Sequence, residues 1–248
     1  MKFLLTKYLQ TRKKNGNLLK NVDTWSTVFL FDPIAIPLTK VIARTKITPN
    51  QISVFRLFPS VLAAVFFLSY RRDMQILGAI TVYLTFLMDC VDGKLARLKQ
   101  IESEFGRAID YLCDSFGKLI ALLSLIYSQV YVWGGTKVFF FGMGLLCVHY
   151  LFHILHTIVI KADVYKDRGG CTDPLVFRGR FGKGLMKQGI LPCLYTLFEE
   201  KHLLLIIGPI LGIFRECLVI SLLLSFVLMV VPDLTLLFRR TVLDGLKT

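Results

Sequence analysis

Residues 74–127 read MQILGAITVYLTFLMDCVDGKLAR, then LKQIE, then SEFGRAIDYLCDSFGKLIALLSLIY. The first and last of these stretches are apolar and long enough to cross a hydrocarbon core of about 30 Å, which takes roughly 20 helical residues. Their adjoining ends carry four aspartates. Asp89 and Asp92 are three residues apart, with Ala96 four beyond, so all three share one helical face. Asp110 and Asp114, four apart, share a face of the next helix. The connection around Lys99–Glu102 is short, which predicts antiparallel neighbouring helices whose carboxylates meet at one depth.

An aspartate at the centre of a spanning helix costs about 2.5–3.5 kcal/mol, so four left unpaired would cost on the order of 10–14 kcal/mol, less near the interface. Something must compensate. Four converging carboxylates are what hard divalent cations such as Mg²⁺ and Mn²⁺ require. Two helices giving two carboxylates each suit a pair of ions bridged by shared ligands. The competing reading is an interhelical network of aspartates with Arg97, Arg107, Lys94 and Lys118 and no metal. Gly93, Ala96 and Gly106 leave room for a flat group beside the backbone, or for close helix packing. Arg97 has the fork geometry to pair a phosphate.

The rest of the chain repeats the apolar theme. Of 248 residues, 54% are hydrophobic, and the apolar residues gather in long runs with charges between them. Mean hydropathy is +0.61. Disorder, collagen-like repeats and a small disulfide scaffold are excluded by these numbers. Six spans are predicted, over 50–69, 74–97, 103–127, 137–160, 202–214 and 216–238. The fifth is short and contains Pro209; a start before His202, within Leu194–Phe198, would carry Glu199 and Glu200 into the bundle. The predicted fold is all-α, a polytopic membrane bundle of six transmembrane helices. Residues 1–47 are expected to form a cytoplasmic N-terminal segment with an interfacial amphipathic helix, and 48–248 the six-helix transmembrane domain that carries the aspartates. That interfacial helix falls in Asp32–Lys46, where Leu38, Val41 and Ile42 recur at helical spacing beside Lys40, Arg44 and Lys46.

The net charge of +13 is explained by its placement. Basic residues crowd the segment before the first span, the 161–201 loop and the C-terminal tail, whereas the opposite loops hold Arg71, Arg72, Lys137 and Arg215. Positive-inside counting puts both termini and the 161–201 loop in the cytoplasm, as an integral, multi-pass protein with the aspartates on that side. Phe3–Leu5 is too short an apolar core for a signal peptide. No nucleic-acid motif is present, so a membrane surface is the expected partner of the excess charge. The six cysteines contain no CxxC pair and read as reduced packing residues.

The pattern DxxDGxxAR, eight residues, GxxxDxxxD resembles the signature of the CDP-alcohol phosphotransferase family at every fixed position over residues 89–114. Thr48-Pro-Asn50-Gln-Ile-Ser53 is similar to the PNxxT opening of that family's first span, with Ser for Thr. The resemblance implies transfer of a phosphoryl-alcohol from a CDP-linked alcohol to a hydroxyl acceptor, with release of CMP. It implies two divalent cations, one on Asp89, Asp92 and Asp110 and the other on Asp89, Asp110 and Asp114, with Asp114 also the base. It implies contacts to the CDP-alcohol from Asn50, Ser53, Gly93, Ala96, Arg97, Ser103 and Gly106, and a homodimer. Gly142 and Gly144 are faint candidates for the packing face.

The favoured donor is CDP-diacylglycerol; glycerol 3-phosphate, inositol phosphate, inositol and serine are open as acceptors. A CDP-linked head group given to a lipid or small alcohol is the alternative. A divalent-cation transporter is a third reading, but it expects polar residues continuing across the membrane. His149, His153 and His156 share one face of the fourth span, favouring an internally hydrogen-bonded polar stripe over zinc or acceptor contact. For Glu199 and Glu200, ordinary interfacial placement is favoured over meeting an acceptor hydroxyl or cation. Arg56, Arg107 and Lys118 fit either an acceptor phosphate or counter-charges for the aspartates.

Overall fold

The computed structural model describes residues 16–20, 23–133, 136–161, 188, 190, 197–231, 234 and 238. All its regular elements are helical; one isolated bridge joins Asp23 and Ile190. After a 3₁₀ turn at Gly16–Leu18, a π turn at Thr27–Phe31 runs into α1, Asp32–Ile42. The first predicted span is α2, Pro49–Phe55, and α3, Leu57–Leu68, broken at Arg56. Thr48 starts α2 with a capping box, its hydroxyl accepting from Gln51 N and the Gln51 side chain accepting from Thr48 N.

Then come α4, Arg72–Lys99, α5, Glu104–Trp133, and α6, Thr136–Lys161. The fifth predicted span is α7, Leu197–His202, a π segment Leu203–Ile207 and α8, Gly208–Leu211. The chain then turns at Gly212 (φ 73°) into α9, Phe214–Ser225, which ends in a π segment, Phe226–Val230. Among the described residues, the helix of α2 with α3 and α4 are long and apolar enough to cross a membrane. Large apolar side chains such as Phe58, Val65, Leu112 and Phe116 stand exposed around the outside, as a lipid-facing surface requires.

Two sequence expectations change here. First, α4 and α5 touch each other little; both pack instead on α2 and α3, which lie between them. The left-handed Gln100 (φ 55°) turns the chain out of α4, and small residues explain the wedge. A Cβ at Gly117 on α5 would stand 2.7 Å from Ser60 Oγ, and one at Gly78 on α4 would stand 2.6 Å from the Phe67 ring. Second, Gly142 and Gly144 are used inside the chain. A Cβ at Gly142 would meet Ile126 at 2.6 Å, and Gly144 lies against Leu222.

The helix expected within Asp32–Lys46 is α1, which begins at Asp32, contains Pro37 and ends at Ile42. Ile34, Leu38 and Val41 face outward, while Ala35, Ile36 and Thr39 are buried against α4. Phe31 and Ala35 belong to the same apolar core as Ala63, Phe67, Val91 and Leu125. Cys90, Cys113 and Cys217 are buried and unpaired, and Cys147 is exposed. Cys171, Cys193, most of the basic 161–201 loop and the proposed helix start at Leu194 lie outside the described residues.

Candidate active site

The α4 helix ends on the motif, and α5 begins with its other half. Ser103 caps α5 by accepting from Gly106 N at 3.0 Å, so the residue that leads into the second half also orients it. A Cβ on Gly106 would lie 2.9 Å from Asn50 Oδ1, so glycine here lets α5 approach the start of α2. Asn50, Ser53, Gly93, Ala96, Arg97, Ser103 and Gly106 all line one cavity of about 610 Å³, together with Asp89, Asp92 and Asp110. That volume falls in the range of small-molecule sites.

Three of the four aspartates converge. Asp89, Asp92 and Asp110 each offer an oxygen, all within 4.8 Å of one another. Arg56, 1% exposed, reaches both outer members from the wedge helix. Its Nη1 donates to Asp89 Oδ1, and its Nη2 donates to Asp110 Oδ1 at 2.7 Å and to Asp110 O at 3.0 Å. Ser53 Oγ donates to Asp92 Oδ2 at 2.7 Å, which gives the serine in the PNxxT-like motif a defined task. The counter-charge role for Arg56, left open by the sequence, is the one the structure displays.

Asp114 stands apart from the trio. Its Oδ2 is paired with Lys118 one turn along α5 and lies 3.5 Å from Lys201 Nζ. The donor set of the trio fits a hard divalent cation, because three carboxylate oxygens lie at close range. The second trio, with Asp114, is not gathered. Arg107, offered as another counter-charge, instead pairs with Glu104 at the surface. Arg97 Nε donates to Leu18 O at 2.9 Å, while its guanidinium lies beside Gly93.

Sequence reasoning missed the supports behind the site. Lys94 Nζ stands 2.7 Å from Asp32 Oδ1 with both side chains almost fully buried. That oxygen has no aligned hydrogen-bond donor, so this is an ion-pair contact rather than a formed hydrogen bond. Burial raises the Asp32 carboxyl above its ordinary value and Lys94 opposes the rise. An acid in the apolar run before Pro33 was the available signal. Glu199 and Glu200 are buried, against the interfacial placement favoured earlier, because α7 points each to a different partner. Ser26 Oγ donates to Glu199 Oε1 at 2.6 Å, and Ser225 Oγ donates to Glu200 Oε1 at 2.9 Å. His149 Nε2 lies 2.8 Å from Glu200 Oε2, which is the internal bonding expected of the histidine stripe. The side chains of His153 and His156 lie outside the described residues.

Known proteins resemble this chain in sequence and in fold. Phosphatidylinositol phosphate synthase of Mycobacteroides abscessus is 27% identical over 107 residues, 43% of this chain and 48% of that protein. CDP-diacylglycerol–glycerol-3-phosphate 3-phosphatidyltransferase of Cereibacter sphaeroides is 37% identical over 87 residues, 34% of this chain and 39% of that protein. Each match therefore spans less than half of the relative's length. A crystal structure of phosphatidylinositol phosphate synthase from Mycobacterium tuberculosis with CDP-DAG bound shares the fold, with a TM-score of 0.54 at 17% identity over 83% of this chain and 92% of that one. The family model for CDP-alcohol phosphatidyltransferase matches residues 46–231, three quarters of the sequence and both halves of the aspartate motif, and the chain belongs to that family.

Proposed function

We propose that this protein is an integral membrane CDP-alcohol phosphatidyltransferase that moves a phosphatidyl group from CDP-diacylglycerol to the hydroxyl of a polar acceptor and releases CMP. One observation carries the reading: the seven residues that the family resemblance assigns to the CDP-alcohol line a single cavity whose wall holds three converging carboxylates. The CDP-diacylglycerol in the name of the Cereibacter sphaeroides relative, and the CDP-DAG in the related crystal structure, support the donor class. Six spans, a multi-pass topology with the site on the cytoplasmic side, a homodimer and a pair of Mg²⁺ or Mn²⁺ ions complete the proposal.

Asp89, Asp92 and Asp110 would hold one ion; a second, on Asp89, Asp110 and Asp114, would need Asp114 to turn from Lys118 toward the trio. Bound there, divalent cations neutralise the diphosphate charge that builds up during phosphoryl transfer. Arg56 keeps Asp89 and Asp110 in register, and Ser53 does the same for Asp92. Asp114 takes the proton from the acceptor hydroxyl. The acceptor oxygen then bonds to the phosphorus that carries the lipid alcohol, the bond from that phosphorus to the bridging oxygen breaks, and the electron pair leaves with CMP.

The test is CMP release by the purified full chain with CDP-diacylglycerol, or with CDP-linked head groups, against glycerol 3-phosphate, inositol phosphate, inositol and serine, with and without Mg²⁺ or Mn²⁺. Metal-dependent CMP release from CDP-diacylglycerol is expected. Release from a CDP-linked head group instead would reverse donor and acceptor roles. Asp114→Asn should abolish turnover and leave CMP binding largely intact; full activity in that variant removes Asp114 as the base.

A further inference from the structure

The cavity has a wall that the family match does not reach. Lys20, Asp23, Thr24 and Thr27 line it together with the motif residues, yet the match begins only at residue 46. This segment is locked in place. Arg97 Nε donates to Leu18 O, Ser26 Oγ donates to Glu199 Oε1, and the fully buried Phe31 stacks on Tyr83 and packs against His202. The ion pair of Lys94 with Asp32 ties the following helix to α4 beside the site.

Asp23 is the informative residue on this wall. Its Oδ1 accepts from Thr24 N at 2.9 Å, which uses a small part of what a carboxylate can accept. It is not a member of the converging trio. A further carboxylate against the diphosphate would add repulsion, so Asp23 suits a neutral part of the nucleotide that donates hydrogen bonds. Cytosine has such a group in its 4-amino nitrogen, where uracil has a carbonyl, and aspartate is a known type of acceptor for that amine. We propose that Lys20, Asp23, Thr24 and Thr27 form the nucleobase wall of the donor cavity and that Asp23 reads cytosine by accepting from its 4-amino group. This rests on the transferase reading above.

The experiment is calorimetric titration of CMP and of UMP into the detergent-solubilised full chain with Mg²⁺ present. Wild type should favour CMP. In Asp23→Asn, whose side-chain oxygen can still accept from Thr24 N and whose amide can donate to uracil, the CMP-to-UMP preference should fall by about tenfold. Asp23→Ala should lose the preference similarly, and should it fail to fold, Asp23→Asn answers alone. A wild type that favours CMP with an unchanged ratio in Asp23→Asn overturns the inference and leaves the transferase reading standing. A wild type that binds neither nucleotide overturns the transferase reading and this inference with it.

Discussion

Replacing Arg56 with methionine should make the stability of this protein depend on divalent cations. The side chain is 1% exposed and is the cation that bridges Asp89 and Asp110 across the wedge helix. Without it, three carboxylate oxygens within 4.8 Å face one another. At an effective dielectric of about 20, each like-charged pair at that separation repels by about 3.5 kcal/mol. Asp89 and Asp110 are 27% and 44% exposed, so water screens a good part of this. The loss in chelator should therefore sit near the lower end of the range for breaking a buried ion pair, about 3 kcal/mol.

In a chain of this size that shifts the melting midpoint down by about 6–12 °C. A cation present at a hundred times its Kd returns about 2.7 kcal/mol. Arg56 competes with that ion for the same oxygens, so the gain should be larger in Arg56→Met than in wild type. Thermal unfolding of the solubilised protein in chelator and across an Mg²⁺ or Mn²⁺ titration reads both quantities. Equal metal-induced shifts in the two proteins, or none in either, would refute the reasoning.

Lys94→Met should destabilise the protein by about 3–5 kcal/mol at neutral pH, because it removes the ion-pair partner of the buried Asp32, and Asp32→Asn added to it should recover much of the loss. Burial raises the Asp32 carboxyl above the ordinary 3.8, so its ionisation works against the fold: stability is fullest below that pH and declines as pH rises through the raised value. Removing Lys94 takes away the influence that opposes the rise, and melts across pH should show the variant's deficit small in acid and full at neutrality. Gly106→Ala should weaken CMP binding with little effect on the melt, since its Cβ would press on Asn50 Oδ1 and Ser103 Oγ inside the cavity; unchanged CMP affinity in a titration would count against the close approach.

The two halves of the motif were legible in the chain because helical spacing fixes which side chains share a face. Asp89 and Asp92 had to lie together, as did Asp110 and Asp114, and the clustering of charge between apolar runs placed the helices nearly where they are. What covalent order could not state is which helix fills the space between two others. A short loop implied that α4 and α5 were neighbours, yet Gly78 and Gly117 admit Phe67 and Ser60 of α3 so closely that the first predicted span becomes the wedge. That wedge decides Arg56's role, because a side chain 33 residues away in sequence from Asp89 becomes its partner only through packing. The same reason hid the pairs of Asp32 with Lys94 and Glu199 with Ser26, and put Lys201 rather than its fellow carboxylates beside Asp114. Local periodicity acts within one helix; a buried charge takes whatever partner the assembled bundle brings within reach.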